Sequence, residues 1–246
     1  DNGVRVSEII KLFRKKIVEF ENMINNWIKI EISQKQYPSN EAGAIPVIEA
    51  IDGQLITHCH WMSPNIQDNL LVSDIANDTL KMVVYNRYYN APPKMAFIKN
   101  FGFKEGAIAS TVAHDSHNII AVGVDDESIR SAVGGWNGLL VPKGTPKDVV
   151  QRLNESIVKA INLVIDQKGG ISCVNVSEQK VLGLPVAGLM STEDPYQVAE
   201  AYTQIDQMAK GLGSKLGAPF MTLSFMALLV IPHLKLSDKG LFDGDQ

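Results

Sequence analysis

Two of the five histidines lie in one short polar segment, together with other side chains that can do chemistry. His114, Asp115, His117 and Asn118 follow a run of small residues and precede the apolar residues 119–122. Imidazole, carboxylate and amide groups in one turn can grip a purine-like heterocycle, order a water molecule or hold a metal. A polar turn between two strands also favours Asp, Ser and Asn. The two histidines favour a functional turn over a purely structural one.

A second histidine pair, His58 and His60, flanks Cys59 within a predicted strand. Alternate residues of a strand point to the same face, so both imidazoles project together and Cys59 points away. That geometry can chelate a metal, so His58 and His60 are the candidates for metal ligands. We favour the other interpretation, a solvent-facing pair with no ligand, because the pair is not part of the family pattern described below.

Alternating and continuous apolar runs predict the strands that position these groups. Residues 47–51 and 54–58 flank Asp52-Gly53, which predicts a hairpin with a tight turn. Further strands are predicted at 80–85, 95–99, 106–109 and 118–123, the last two on either side of the histidine turn.

Helices are predicted at four places. Residues 4–30 repeat apolar side chains every three or four positions, which indicates an amphipathic N-terminal helix followed by a polar connector over 33–44. Another helix begins at 125 with acidic residues, and one runs from Pro146 to Gly169. A later helix is predicted to be capped by Ser191 and to end near Gly211. The combination predicts an α+β (mixed α/β) fold with a mixed sheet packed against helices.

Composition excludes some classes of function. The chain has 246 residues, is 45% hydrophobic and carries a formal net charge of −4, so we expect no nucleic-acid partner. Its longest apolar stretch, 220–231, is too short to span a bilayer, and we expect no membrane partner. The two cysteines, Cys59 and Cys173, suit a reducing compartment. No signal peptide is visible, and we expect a cytoplasmic protein.

Several ordered segments resemble the C-terminal region of bacterial and archaeal adenine deaminases. They are FGFKEGAIAS at 101–110, VAHDSHN at 112–118, LPVAGLMS at 184–191, PFMTLSFMAL at 219–228 and LKLSDKG at 234–240. Residues 47–55 and the pair Asn86-Arg87 fit the same pattern. The resemblance divides the chain into an N-terminal helix and linker at 1–44 and a deaminase C-terminal-like domain at 45–246.

The resemblance implies hydrolytic deamination of adenine to hypoxanthine and ammonia by a metal-dependent barrel, with Mn²⁺ or Fe²⁺ as the divalent metal. The barrel's metal motif has no counterpart upstream of residue 45, so we expect a companion domain that needs a barrel for catalysis. Adenine or a related purine is the expected ligand, and a homo-oligomer is compatible with it.

Within this resemblance the catalytic candidates are His114, Asp115 and His117. Asp115 would act as hydrogen-bond acceptor or proton relay, and the two histidines would orient the substrate. The substrate-binding candidates are Asn118, Ser110 and Gly188, although Ser110 can be structural and Gly188 can serve only to let backbones approach.

Residues 134–161 depart from the deaminase pattern and resemble a segment of periplasmic tricarboxylate-type solute-binding proteins. This atypical insert motivates a rival hypothesis, a non-catalytic small-molecule-binding or assembly module. A third hypothesis is a small metalloprotein that uses His58, His60, His114 and His117.

Overall fold

The fold is known from a computed structural model that describes residues 29–89, 91–134 and 169–245. The strands of these residues are β1 Ile45–Ala50, β2 Thr57–Met62, β3 Asn65–Gln67, β4 Leu70–Val72, β5 Thr79–Tyr85, β6 Lys94–Lys99, β7 Ala107–Ser110, β8 Ile119–Gly123, β9 Gly170–Val174, β10 Gln179–Gly183, β11 Leu234–Ser237 and β12 Gly240–Asp243. The helices are α1 Asp126–Gly134, α2 Pro195–Gly211 and α3 Pro219–Phe225, with a 3₁₀ turn at Gln34–Gln36.

Eight of these strands form one mixed sheet in the order β10-β9-β7-β8-β5-β6-β1-β2. Neighbouring strands are antiparallel except β1 and β6, which are parallel. Strand β2 forms one edge of the sheet. The mixed sheet and its helices confirm the predicted α+β fold.

The central strand β5 is buried along its whole length because both faces of the sheet are covered. Leu80, Met82 and Val84 belong to the core cluster on one face, whereas Val83 and Tyr85 belong to the cluster on the other. This two-sided burial explains why apolar residues occupy both alternating sets of positions in the strand, with Lys81 as the charged exception between them.

Helices cover the two faces separately. Ile205 and Ala209 of α2 and Phe220 and Leu223 of α3 pack into the cluster on the first face. Ile129 of α1 packs into the cluster on the second face with Ala132 and Val133. The predicted strands at 80–85, 95–99, 106–109 and 118–123 and the helix beginning at 125 are thus confirmed, within one or two residues at each end. The later predicted helix is present and ends at Gly211 as expected, but it begins about three residues after the predicted start.

The acidic start of α1 has a partner in the sheet. Asp125 accepts a hydrogen bond from the Ser128 amide at 2.7 Å and so caps the helix. Asp126 receives the buried Lys81 ammonium at 2.5 Å, which fixes the helix against β5.

The polar connector after residue 33 is attached to the sheet. Ile30, Ile32 and Tyr37 are buried, and the Tyr37 hydroxyl donates to the Pro46 carbonyl and accepts from the Phe97 amide, both at 3.2 Å. The division of the chain at residue 44 remains a prediction.

The hairpin between β1 and β2 was predicted with the wrong loop. The strands do pair antiparallel, but six residues, 51–56, separate them. Asp52-Gly53 forms a turn inside this longer loop, closed by a hydrogen bond from the Gln54 amide to the Ile51 carbonyl at 3.1 Å. Residues 54–56, predicted as strand, are loop because pairing starts only at Ala50 opposite Thr57.

The predicted helix cap Ser191 is also wrong. Asp194 caps α2 and accepts from the amides of Tyr196 and Gln197 at 3.0 and 3.3 Å. Pro195 occupies the first turn, and the residue before a proline avoids the helical conformation, which places the cap at Asp194. The Ser191 hydroxyl instead accepts from the Glu193 amide.

Two other predicted helices, over 4–30 and from Pro146 to Gly169, lie almost entirely outside the described residues, as does most of the 134–161 insert. Of the helices that the structure describes, none has the length and apolar content needed to cross a bilayer.

Candidate functional site

The histidine turn connects two paired strands at one end of the sheet. β7 ends at Ser110 and β8 begins at Ile119, and the two strands are antiparallel. The turn is fixed by hydrogen bonds from the His117 amide to the Ala113 carbonyl at 2.8 Å and from the His114 amide to the Ser224 carbonyl of α3 at 3.1 Å. The sequence therefore placed the turn correctly between two strands.

His114 is held against α3 by its ring. The imidazole stacks on Phe225 with centroids 4.7 Å apart and planes inclined by 10°. Its Nε2 atom is buried and makes no hydrogen bond to any residue that the structure describes. The stacking fixes the ring plane and leaves this nitrogen available to an additional partner.

His117 and Asn118 show the same feature. Their Nδ1 and Oδ1 atoms are buried without a hydrogen bond to the described part of the chain. A buried polar atom without a partner costs about 1–3 kcal/mol, so three of them in one turn indicate that a partner completes it. Asp115 differs because it is exposed, and its backbone is in the left-handed region with a φ of +67°.

The remaining substrate-binding candidates have structural roles in this arrangement. Ser110 Oγ accepts from the Val112 amide at 2.9 Å and so closes the backbone at the start of the turn. Gly188, with a φ of +75°, lets the guanidinium of Arg87 approach its Cα, because a Cβ there would lie within 2.8 Å of Arg87 Cζ. Substrate contacts by Ser110 and Gly188 remain predictions.

Arg87 is a site residue that sequence reasoning did not select. Its Nη2 donates to the Ala187 carbonyl at 2.5 Å, whereas Nη1 is buried with no partner among the described residues. The available signal was its position just after the buried strand β5, next to Asn86.

Thr111 ties three segments together at this end of the sheet. Its hydroxyl donates to the Gly188 carbonyl at 2.7 Å and accepts from the Gly170 amide at 2.8 Å. One connected cluster therefore contains the histidine turn, the start of β9 and the loop at Ala187 and Gly188, against which Arg87 lies. The pairing of Tyr85 with Ile119 brings the end of β5 to the same place.

A second polar network begins at Asn86, the residue before Arg87. Asn86 donates to Asp238 at 2.8 Å, and the Tyr89 hydroxyl donates to the same carboxylate at 3.1 Å. Partial burial raises the pKa of Asp238, but the hydrogen bonds from Asn86 and Tyr89 outweigh it and the pKa is lowered. The deaminase-like segments around 86 and 234–240 thus contact each other.

The segments that form this cluster match one protein family. A model of the "Adenine deaminase C-terminal domain" matches residues 54–136 and 149–246. The chain belongs to the adenine deaminase family. The family match includes the histidine turn and the 184–191 and 219–240 segments that surround it.

Curated relatives agree. An adenine deaminase of Methanosarcina acetivorans is 43% identical over 240 residues, which are 94% of this chain and 38% of that protein. Adenine deaminases of Methanosarcina barkeri and Borreliella burgdorferi are 46% and 42% identical and cover 81% and 90% of the chain. The chain spans about a third of the length of the curated relatives it matches, and it matches the C-terminal portion of them.

The family match is interrupted over residues 137–148, which lie inside the predicted 134–161 insert. The resemblance of that insert to a solute-binding protein remains a prediction.

The other histidine pair lies at the opposite end of the sheet. His58 Nδ1 and His60 Nε2 are 3.1 and 2.6 Å from one carboxylate oxygen, Glu49 Oε2, on the neighbouring strand β1. Four strand steps separate β2 from β8, about 19 Å at the usual spacing. The two pairs therefore do not share one metal ion, because the sheet keeps them apart.

The divalent metal implied for the deaminase reaction does not fit the histidine turn of this adenine deaminase domain. Among the described residues, Glu49, His58 and His60 are the ones whose ligand atoms lie close enough together, three at a time, to share one ion. His114, Asp115 and His117 form no such group, so they are not assigned as ligands of a catalytic metal.

Proposed function

We propose that this chain is the companion domain of an adenine deaminase and that its histidine turn completes a purine site formed with a metal-dependent catalytic barrel. The observation that supports the proposal is the group of buried polar atoms without described partners at one end of the sheet, namely His114 Nε2, His117 Nδ1, Asn118 Oδ1 and Arg87 Nη1. The family membership supplies the substrate class, adenine or a related purine.

The chemistry of these atoms suits an adenine ring or the groups that hold it. A neutral imidazole has one donor nitrogen and one acceptor nitrogen, and its tautomer decides which is which. The free nitrogen of each histidine can therefore donate to a ring nitrogen of adenine or accept from an N–H group of adenine. The Asn118 amide oxygen accepts from an N–H group, and Arg87 donates. Asp115, exposed beside them, would accept a proton or a hydrogen bond at the mouth of the site.

Substrate orientation is the role assigned to His114 and His117. Stacking on Phe225 fixes the plane of the His114 ring before any ligand arrives, and a fixed ring keeps its hydrogen-bond direction. The divalent metal, Mn²⁺ or Fe²⁺, is assigned to the barrel, and no described residue of the turn is required to hold it.

The first experiment measures adenine deamination by ammonia release from the 246-residue chain supplied with Mn²⁺ or Fe²⁺. We expect no turnover by the chain alone and turnover when a barrel from a close relative is added or fused. Turnover by the chain alone that a chelator abolishes would contradict the companion-domain proposal, because the chain would then carry a complete site.

The second experiment places His114→Ala, His117→Ala and Asp115→Asn in the complemented enzyme. Loss of an orienting contact should lower kcat/KM by about 100-fold for the histidine variants. His233→Ala serves as the control, because His233 is a half-exposed histidine that pairs with Asp245 and lies beside His58, not in the turn. Unchanged adenine turnover in all three variants would show that the turn has no part in the site.

A second candidate function, a non-catalytic small-molecule-binding module, is favoured by one observation. A groove of about 670 Å³ lies far from the histidine turn, and its lining includes Asp52, Asn100, Lys104 and Lys215. Equilibrium titration of the chain with adenine and with small carboxylates separates the two functions. Carboxylate binding without purine binding would favour the second.

A further inference from the structure

We propose that Glu49, His58 and His60 form a binding site for a divalent transition-metal ion, such as Zn²⁺, that is separate from the metal of deamination. The three side chains come from the edge strand β2 and its neighbour β1. Their ligand atoms all lie within 4.8 Å of one another.

The distances are close to those that an ion requires. Two ligands of a tetrahedral Zn²⁺ ion with bonds of about 2.1 Å lie about 3.4 Å apart. Glu49 Oε2 lies 3.1 Å from His58 Nδ1 and 2.6 Å from His60 Nε2. Each imidazole nitrogen would have to move away from Glu49 Oε2 by less than about 1 Å, and both imidazoles are half-exposed and can rotate.

The strand register holds the three residues in place. Glu49 pairs directly with His58, and Val47 pairs with His60, so the carboxylate lies beside both imidazoles on one face. Asn100 donates to the other carboxylate oxygen of Glu49 at 3.3 Å and to the Ala50 carbonyl at 2.9 Å. A side chain that fixes a ligand from behind in this way is typical of metal sites.

The electrostatics favour a cation at this place. Partial burial raises the pKa of Glu49, but hydrogen bonds from His60 and His58 outweigh burial and lower the pKa below its usual range. Glu49 is therefore a carboxylate that two imidazoles already approach. A metal ion would occupy the space between these three ligand atoms.

The ligand types select the ion. Two imidazole nitrogens and one carboxylate suit Zn²⁺, Ni²⁺ or Cu²⁺, whereas Mg²⁺ and Ca²⁺ prefer oxygen ligands only. His58 and His60 have side chains that are 53% and 47% exposed, so a fourth position is open to water or to a ligand. Glu49 and His58 also line the 670 Å³ groove, which gives that fourth position a route to solvent.

The test measures Zn²⁺ and Co²⁺ binding by the 246-residue chain, using calorimetry and the visible spectrum of bound Co²⁺. All variants carry Cys59→Ser, because Cys59 is an exposed thiol beside both histidines and can bind Zn²⁺ by itself. In that background His60→Ala and Glu49→Gln remove ligands, Asn100→Ala removes the supporting hydrogen bond, and His233→Ala is the matched control. His233 lies 6.4 Å from His58, ring to ring, but is not one of the three ligands.

We expect one Zn²⁺ per chain, weakened about 100-fold or more by the ligand variants and about tenfold by Asn100→Ala. His233→Ala should bind as the background chain does. Equal affinity of the background chain and the His60→Ala variant would overturn the proposal, as would a loss of binding caused by His233→Ala alone. Because the readout is metal binding and not deamination, failure here leaves the proposed function untouched.

Discussion

Replacing Gly188 by alanine tests whether the Arg87 cluster at the end of the sheet is built as described. Gly188 has a φ of +75°, and a Cβ there would fall within 2.9 Å of both Cζ and Nη2 of Arg87. The guanidinium is the far end of a flexible side chain, so it moves away and the backbone stays. That movement breaks the 2.5 Å hydrogen bond from Arg87 to the Ala187 carbonyl.

The cost has two parts. An alanine in the left-handed region loses about 1–2 kcal/mol of stability. A hydrogen bond from a charged group contributes about 1.5–3 kcal/mol. Gly188→Ala should therefore lower the free energy of unfolding by about 2.5–5 kcal/mol, of which somewhat more than half comes from Arg87.

Urea unfolding followed by circular dichroism measures the change, and Gly53→Ala is the matched control. Gly53 has a similar φ of +68°, and an added Cβ there meets no atom within 4 Å, so its variant reports the backbone part alone. Adding Arg87→Ala to Gly188→Ala completes a double-mutant cycle in which the Arg87 part should disappear. If Gly53→Ala and Gly188→Ala lower stability equally, the packing of Arg87 on Gly188 contributes nothing and the described cluster is wrong.

Two further predictions concern Gly106, just before β7, and Lys235 on β11. Gly106→Ala should destabilise the domain by more than about 4 kcal/mol, because the added Cβ would overlap the backbone carbonyl of Val174, whose carbon would be 3.0 Å away, and backbone cannot move aside as a flexible side chain can. Urea unfolding, with Gly53→Ala as the control, measures the loss of stability. A loss equal to that of the control would contradict the prediction. Burial lowers the pKa of Lys235 from about 10.5 to about 8, so the unfolded chain binds more protons between these values and stability rises with pH in that window. We therefore measure the free energy of unfolding of the wild type and of Lys235→Met at pH 8 and at pH 10. The difference between the two proteins should change by about 2 kcal/mol in favour of the wild type. If the two proteins change in parallel with pH, the Lys235 ammonium is not desolvated.

The strands were predictable wherever burial imposed a pattern on the sequence. β5 and β8 lie in the middle of the sheet, and their apolar runs were sufficient to place them. The hairpin loop at 51–56 was predicted wrongly because Asp52-Gly53 does form a turn, while pairing with β1 begins only at Thr57. The turn residues report the local backbone conformation, but the length of a loop depends on where two strands find each other.

The histidine turn was predictable for a different reason. Polar residues between two apolar runs identify a strand connection, and the structure has the turn between β7 and β8. Arg87 was not selected, although it contributes one of the buried polar atoms without a described partner. Its role depends on Gly188, which is about 100 residues away in sequence, and a single sequence carries no information on that contact.

The second histidine pair shows which part of a site a sequence can specify. His58 and His60 are two residues apart on a strand, and alternate residues of a strand point to one face. The spacing therefore predicts that both imidazoles lie on the same face, and the structure has them there. Whether the pair faces solvent or a ligand depends on what the neighbouring strand places between them. That residue is Glu49, which becomes the partner of His58 only through the register of β1 and β2. A one-residue shift in that register would turn Glu49 to the other face and leave two solvated imidazoles, so the metal site that we propose is a property of strand pairing.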